Sequence, residues 1–267
     1  MGPCVAVILP VYNGRRTIGR ALKSVLAQEG DVVAQIIVID DGSVDGSGDY
    51  AAEHGEKVTV LRTPNQGVAM ARNAGLELVN AEWVAFIDAD DYWTTDKLGR
   101  QLAAAKDRGA EFVCCASSGM RPGQSKPIHL LSMWRGNIIS TSSVLVKTKI
   151  LQKIKPTFHP EMSFAEDFLT WIKCLAWVNC YYLADPLFTY VLSPKPRYSL
   201  SNILKNYVKL NYNVLIFAIN APIRPALRVQ LPLLSAIASV YSLIGIMKRI
   251  FCSMELWNRT NTKKHER

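Results

Sequence analysis

Acidic residues almost vanish from the last quarter of this 267-residue chain. Residues 193–267 carry 12 Lys and Arg against 2 Asp and Glu, net +10, whereas residues 1–192 carry 19 against 20, net −1. A basic excess confined to one segment suits an anionic surface there, nucleic acid or acidic lipid headgroups. Paired cysteines are missing too. Cys4, Cys114, Cys115, Cys174, Cys180 and Cys252 form no CxxC pair and no Cys/His spacing suited to zinc, and several lie inside apolar segments. The pattern argues for buried, reduced thiols in a reducing compartment. No basic n-region or cleavage site precedes the first apolar run, so no secretory signal is expected. No Ser/His/Asp or Cys/His constellation offers a nucleophile, and none of His54, His129, His159 and His265 has a recognisable partner. Internal repeats and low-complexity tracts are absent as well.

What is present belongs to a folded protein. Apolar residues make up 49% and charged residues 20%, enough for one large domain or one domain with an extension. Over the first 110 residues short β-rich runs alternate with helical patterns. Val5 to Leu9 reads as a buried strand ended by Pro10. Thr17 to Gln28 places Ile18, Ala21, Leu22, Val25 and Leu26 on one helical face. Ile36–Ile39, Val58–Leu61 and Trp83–Ile87 read as strands, with helices from Asp49 to His54 and from Val68 to Val79. Alternation of this kind predicts a parallel sheet covered by helices, with ligands beyond the carboxyl ends of its strands. Further on, Phe112–Cys115 and Ser143–Val146 read as strands around a Gly/Pro/Ser-rich connection from Ser117 to Pro127. Phe164–Leu175 reads as a helix and Tyr181–Leu183 as a strand. From Tyr198 long apolar helical stretches with basic punctuation take over.

Two strand ends carry acid. Asp40 and Asp41 follow Ile36–Ile39, and Asp88, Asp90 and Asp91 follow Trp83–Ile87. Asp-Asp-Gly-Ser alone can be a loop or a helix cap. Three carboxylates within four residues repel one another unless a cation or hydrogen-bond donors lie between them. Hard oxygen ligands select Mg²⁺ or Mn²⁺, which usually complete their shells with substrate phosphates, so the implied ligand is a diphosphate.

Four motifs in order carry a resemblance. Val7-Ile-Leu-Pro10-Val-Tyr12-Asn13-Gly14, Ile37-Val-Ile-Asp40-Asp41-Gly-Ser43, Asn65-Gln-Gly67 with Ala71-Arg72-Asn73-Ala-Gly75, and Phe86-Ile-Asp88-Ala-Asp90-Asp91 resemble the family 2 glycosyltransferases. The likeness continues more loosely to about residue 192. It implies an inverting enzyme with the α/β GT-A fold, a mostly parallel Rossmann-like sheet flanked by helices. The implied catalytic domain is 1–192, with a nucleotide-binding half at 1–110 and an acceptor half at 111–192, followed by a basic, apolar helical extension at 193–267. By the same resemblance Pro10, Tyr12 and Asn13 lie beside the nucleotide, Asp41 or Asp40 hydrogen-bonds the base (uracil by family frequency, with guanine or thymine open), and Arg72 approaches the nucleotide or its phosphates. Asp88-x-Asp90 is then the DXD motif, touching ribose and Mn²⁺ or Mg²⁺, with Asp91 a further candidate for metal or sugar. The plainer alternative for Arg72 is a helix-surface ion pair, and Asn73 and Gly75 can serve helix packing alone.

Glu166-Asp167 opens a helical pattern, where an acidic pair ordinarily compensates the helix dipole. Ser163-Phe-Ala-Glu166-Asp167-Phe-Leu-Thr-Trp171 resembles the family's Glu-Asp segment, which implies Asp167 as the general base and Glu166 in support. Many relatives carry Arg at the end of this helix; Lys173 stands there here and supplies charge without a bidentate fork. The segment Tyr190…Tyr198-Ser-Leu-Ser201 resembles the family's closing loop without its usual basic and aromatic residues.

The C-terminal quarter leaves three readings open. Leu231–Met247 is apolar apart from Ser and Tyr, 17 residues containing Pro232 and Gly245, and Lys248-Arg249 follow. Val214–Ala221 is a second apolar patch, followed by Arg224 and Arg228. The choices are an interfacial helical hairpin on acidic lipid, a buried packing extension, or a span at the short end of what a bilayer needs. The polar, basic tail Asn258–Arg267 reads as disordered or lying on headgroups. Lipid contact fits a lipid-linked saccharide acceptor and a cytoplasmic enzyme at the inner face of a bacterial plasma membrane, as the resemblance implies. Rival functions fare worse. A sugar nucleotidyltransferase would carry a Gly-rich basic loop after the first strand, and Pro10–Gly14 is not one. A nucleic-acid-binding role would need helix-turn-helix or stacking signatures, which the basic segment lacks. A dead scaffold would lack one of Asp88, Asp90 and Asp167.

Overall fold

Val5–Val11 contains no polar side chain, and such a run needs cover on both faces. In the computed structural model it is β1, with all seven residues buried. The structure describes residues 2, 4–120, 123–135, 137–162, 165–191 and 200–220, together with 229, 230, 232, 233 and 236. β1 leads to α1 (Ile18–Leu26), β2 (Val33–Asp40), α2 (Ser47–Ala52), β3 (Val58–Arg62), α3 (Val68–Glu77) and β4 (Trp83–Phe86). Then come β5 (Tyr92–Trp93), α4 (Lys97–Arg108), β6 (Phe112–Ser117) and β7 (Lys126–Ile128), followed by β8 (Leu145–Lys147), α5 (Thr148–Gln152), α6 (Glu166–Leu175), β9 (Cys180–Thr189) and α7 (Leu200–Asn220).

The sheet runs β3-β2-β1-β4-β8-β6-β9-β5, with β7 also on β9. β3, β2, β1 and β4 are parallel, as the alternation predicts. Beyond β4 the sheet is mixed: β8 is antiparallel to both β4 and β6, while β6 and β9 are parallel. Side chains alternate between two apolar layers. Val5, Val7 and Leu9 join α1 and α4 on one face, and Ile8 joins α3, α5, α6 and α7 on the other.

β1 continues through Pro10 rather than ending there. Its pairing with β4 stops at Ile8, so the missing proline N–H removes no ladder bond on that side. Close approach excludes a side chain at several glycines, Gly75 and Gly42 among them. A Cβ on Gly75 would lie 2.8 Å from the Ile8 Cγ2 methyl where α3 crosses β1, and one on Gly42, at φ +79°, would lie 2.8 Å from the Asn65 nitrogen. Two residues before Gly75, Asn73 ties α3 to Phe158, donating to the Phe158 carbonyl and accepting from the Phe158 amide, which fits the packing role for both residues.

Residues 92–109, for which the sequence pattern predicts no element, form β5 and α4; Leu98, Leu102 and Ala105 are the buried stripe of α4. Tyr181–Leu183 proves to be the first part of a longer strand, and Ser143 belongs to a helical turn before β8. Cys4, Cys114, Cys115, Cys174 and Cys180 are free thiols. α7, inside the expected extension, sinks Leu210, Val214 and Ala218 into the same layer as α6. Its opposite face exposes Val208, Tyr212, Leu215, Ile216 and Ile219. Among the described residues no helix is long and apolar enough to cross a membrane. The run Leu231–Met247, save a few positions, the tail Asn258–Arg267, most of Tyr190–Ser201, and Ser163-Phe164 lie outside the described residues.

Candidate functional site

The carboxyl ends of β1, β2 and β4 meet the amino end of α6, and the residues singled out from sequence gather there, Lys173 excepted. The turn after β1 and the turn after β2 are tied to each other. Asn13, at φ +50°, donates its amide to Ser43 Oγ (2.9 Å), and its Oδ1 accepts the Val44 amide (2.9 Å). Tyr12 projects from this turn into solvent.

Asp40 and Asp41 are both buried. Asp40 accepts the Ser43 amide (2.9 Å). Asp41 accepts the Gln66 amide on Oδ1 (2.9 Å) and the Gly67 amide on Oδ2 (2.8 Å), which fixes the loop leading into α3. That loop aims Arg72 inward.

Arg72 is a buried bridge and not a surface ion pair. One guanidinium nitrogen donates to Asp88 Oδ1 at 2.8 Å and the other to Glu166 Oε1 at 2.7 Å, with the Phe158 ring beneath. Burial alone would lower its pKa, but Asp88 and Glu166 outweigh burial and raise it. The first residue of the acidic turn after β4 and the first residue of α6 are thus joined through one cation.

Asp167 follows Glu166 on α6. Its Oδ2 accepts Asn137 Nδ2 (2.9 Å) and the Thr141 hydroxyl (3.4 Å), and its Oδ1 accepts the Phe168 amide (2.7 Å). Burial pushes its pKa up to about 7, the Glu166 charge adds to this, and Arg72 opposes it. A carboxyl poised there can take a proton near neutral pH.

The acidic turn divides its work. Asp88 and Asp90 are partly exposed, while Asp91 is wholly buried and accepts the Val191 amide (2.9 Å). Burial pushes Asp91 up to about 6, against the Ser142 hydroxyl and the Val191 amide. Asp91, expected among metal ligands, is therefore turned into the protein as a tie to the end of β9. Arg20 of α1 braces the same turn, donating to the Asp90 carbonyl (2.8 Å) and stacking over Tyr92. Among the described residues no three His, Cys, Asp or Glu side chains gather as a metal cage. The donor set fits a divalent ion that takes one or two carboxylates and completes its shell with phosphate oxygens, the usual habit of Mg²⁺.

Lys173 is not brought to the carboxylates. Seven residues beyond Glu166, it lies roughly 10 Å farther along α6 by helical rise and donates to the Pro156 carbonyl (3.1 Å). Burial lowers its pKa to about 8. Asn137, Thr141, Ser142 and Arg20 were missed from sequence. Asn137 follows Arg135-Gly136 and Ser142 lies in the hydroxyl run Ser140-Thr141-Ser142-Ser143, patterns that name no partner, and only the folded chain reveals theirs.

Proteins of one family resemble this chain in sequence and fold. The model of glycosyl transferase family 2 matches residues 6–159. A Bacillus subtilis glycosyltransferase assigned to teichuronic acid biosynthesis, TuaG, is 32% identical over 187 residues, covering 65% of this chain and 72% of its own. The crystal structure of Staphylococcus aureus TarS 1–349 in complex with UDP-GlcNAc superposes with a TM-score of 0.72 at 20% identity, covering 90% of this chain and 71% of that one. The mannosyltransferase PcManGT of Pyrobaculum calidifontis, in complex with GDP-Man and Mn²⁺, gives 0.65 at 20% identity, covering 89% and 70%. The fold is the GT-A fold that the sequence motifs imply.

Proposed function

The chain belongs to glycosyl transferase family 2, and from that premise we propose that it moves a sugar from a UDP-linked donor to an acceptor hydroxyl with inversion at the anomeric carbon. The acceptor is a saccharide or lipid-linked saccharide in the assembly of a surface polysaccharide or lipid-linked oligosaccharide. The observation that carries the reading is Asp167, a carboxyl with its pKa near 7, linked through Glu166 and Arg72 to the acidic turn at the carboxyl edge of the parallel strands.

The chemistry follows from the parts. The acceptor O–H bond breaks, its proton passes to Asp167, and the oxygen forms a bond to the anomeric carbon. The carbon–phosphate oxygen bond breaks on the opposite face, and its electron pair leaves with the nucleoside diphosphate. One displacement inverts the centre, so no protein nucleophile is needed. Asp88 and Asp90 would hold Mn²⁺ or Mg²⁺, which neutralises the departing diphosphate as a Lewis acid. Pro10, Tyr12 and Asn13 line the nucleotide. Asp40 or Asp41 accepts the base N–H through a second lone pair, since each carboxylate oxygen can accept twice. Arg72 acts by orienting Asp88 and Glu166, and Lys173 by supporting α6. Activity on UDP sugars is favoured by the likeness to a UDP-GlcNAc complex; the GDP-Man complex keeps guanine as the second possibility.

The basic C-terminal quarter suggests peripheral contact with acidic lipid at the inner face of the plasma membrane, with the exposed apolar face of α7 and its Lys205 and Lys209 as one contributor. Failure to bind acidic liposomes at low salt would remove this part of the reading. The donor site is tested by isothermal titration with UDP, GDP and TDP, each with Mn²⁺ and with EDTA, on wild type and Asp90→Ala. Metal-dependent binding of one nucleotide, lost in the variant, is the expected result. No binding of any diphosphate to folded protein would end the proposal.

A further inference from the structure

Two neighbouring residues touch the two ends of the reaction centre. Thr141, Ser142 and Ser143 form one buried helical turn between the acceptor-side loop and β8. Thr141 donates its hydroxyl to Asp167 Oδ2 (3.4 Å), and Ser142 Oγ accepts the backbone amide of Asp88 (3.1 Å). The turn is pinned from beneath. Trp93 Nε1 donates to the Ser142 carbonyl (2.9 Å), Gln101 Nε2 donates to the Ser143 carbonyl (2.8 Å), and Lys97 Nζ donates to Gln101 Oε1 (2.8 Å). Lys97 and Gln101 have no exposed surface, so this support is not exchanged with water. On its far side the turn enters β8, which pairs with β4 at Leu145 and Ala85, only a few residues before Asp88.

We propose that the Thr141–Ser142 turn is the positioning element that sets the distance between the proton-accepting carboxylate of Asp167 and the diphosphate-holding turn at Asp88. Arg72 joins Asp88 to Glu166 through its guanidinium; the turn joins Asp88 to Asp167 itself, through the hydroxyls of two consecutive residues. Displacement transfers demand this, because a misplacement of about 1 Å between base and leaving group can cost on the order of 100-fold in rate. Thr141 thereby governs the orientation of the base, and Ser142 the seating of the donor. Neither touches substrate; both act through another residue.

The proposal rests on Asp167 being the base, and the experiment separates the two ideas. Hydrolysis of UDP-glucose, UDP-N-acetylglucosamine and GDP-mannose, with Mn²⁺ and water as acceptor, is followed for wild type and for Thr141→Val, Thr141→Ser, Ser142→Ala and Asp167→Asn, with Tm recorded for each. Thr141→Val, which keeps the shape and loses the hydroxyl, should lower kcat about tenfold with donor KM unchanged. Thr141→Ser should restore kcat to within about twofold. Ser142→Ala should instead raise donor KM several-fold. Wild-type kcat in Thr141→Val, or a Thr141→Ser as slow as the valine variant, would overturn the positioning role. Losses of kcat and KM that merely track a lowered Tm in all variants would overturn it too. Retained turnover in Asp167→Asn would sink the base assignment instead, and a wild type that turns over none of the three donors would sink both.

Discussion

Arg72 and Glu166 stand 2.7 Å apart, nitrogen to oxygen, with the arginine side chain almost wholly buried. The same guanidinium serves Asp88, so a single α3 side chain fastens α6 to the end of β4. Breaking such a pair leaves carboxylates without their cation, which costs more than the pair itself contributes. Arg72→Met should therefore lose about 3–5 kcal/mol of stability, read as a shift in urea midpoint. Arg72→Lys keeps one charge but not the fork and should lose less while still lowering turnover. A loss under about 1 kcal/mol in Arg72→Met, the scale of exposed ion pairs, would show that the bridge does not hold these elements together.

Much of this site can be read from sequence because its carboxylates come from strand ends. A buried parallel strand must be apolar, so Val5–Leu9 and Ile36–Ile39 declare themselves, and the polar residues that follow fall at the ligand edge. Glu166-Asp167 needed the family resemblance, since an acidic pair at a helix start has a plainer use. Side-chain direction was not legible. Asp90 and Asp91 are adjacent in sequence, yet Asp91 points inward to the Val191 amide, a partner 100 residues away. Lys173 likewise sits on the right helix but turns toward Pro156. α4 went unread because Lys97, Gly99, Arg100 and Gln101 interrupt its stripe, and two of those polar residues are in fact buried.

Asp167 should impose an acid limb on turnover. A base with its pKa near 7 is protonated below that value, so kcat should fall about tenfold per pH unit under pH 7 and level off above it. Asp167→Asn should lose on the order of 10²- to 10⁴-fold in kcat, the range of general-base contributions. A flat kcat between pH 5 and 8 for wild type would dissociate this carboxyl from the rate.

Gly75→Ala places opposing effects on one helix. Alanine improves helix propensity by about 1 kcal/mol, but its Cβ would meet the Ile8 methyl at 2.8 Å, on a strand with no room to retreat. Overpacking of this kind costs about 1–3 kcal/mol, so net destabilisation of up to about 2 kcal/mol is expected. Pushing α3 from β1 also shifts Arg72, three residues earlier, so kcat/KM should drop together with the thermal midpoint. A variant with higher stability and full activity would show that the helix moves freely at this crossing.

Lys97 provides a test in which pH selects the winner. Its ammonium is fully buried, lies 3.9 Å over the Trp93 ring and donates to Gln101, and among the described residues no carboxylate forms an ion pair with it. Burial lowers its pKa from an ordinary 10.5 to about 8. The unfolded chain thus binds the proton more tightly, and between about pH 8 and 10 stability contributed by this site rises with pH. Below pH 8 the folded protein carries the full cost of the buried charge, about 3 kcal/mol at 1.36 kcal/mol per pKa unit. Lys97→Met removes that cost but leaves Gln101 Oε1 without its donor, a loss of about 1–3 kcal/mol. At pH 7 the two effects offset and the variant should be as stable as wild type or slightly more so. At pH 10 the burial cost has fallen below about 1 kcal/mol, the orphaned oxygen outweighs it, and the variant should be the less stable. Cys115, pushed up to about 12 by burial, stays a thiol across this range and does not cloud the comparison. Urea unfolding of both proteins at pH 7 and pH 10 measures the crossing directly; a stability difference that is the same at both pH values would mean that Lys97 keeps an ordinary pKa in the folded protein.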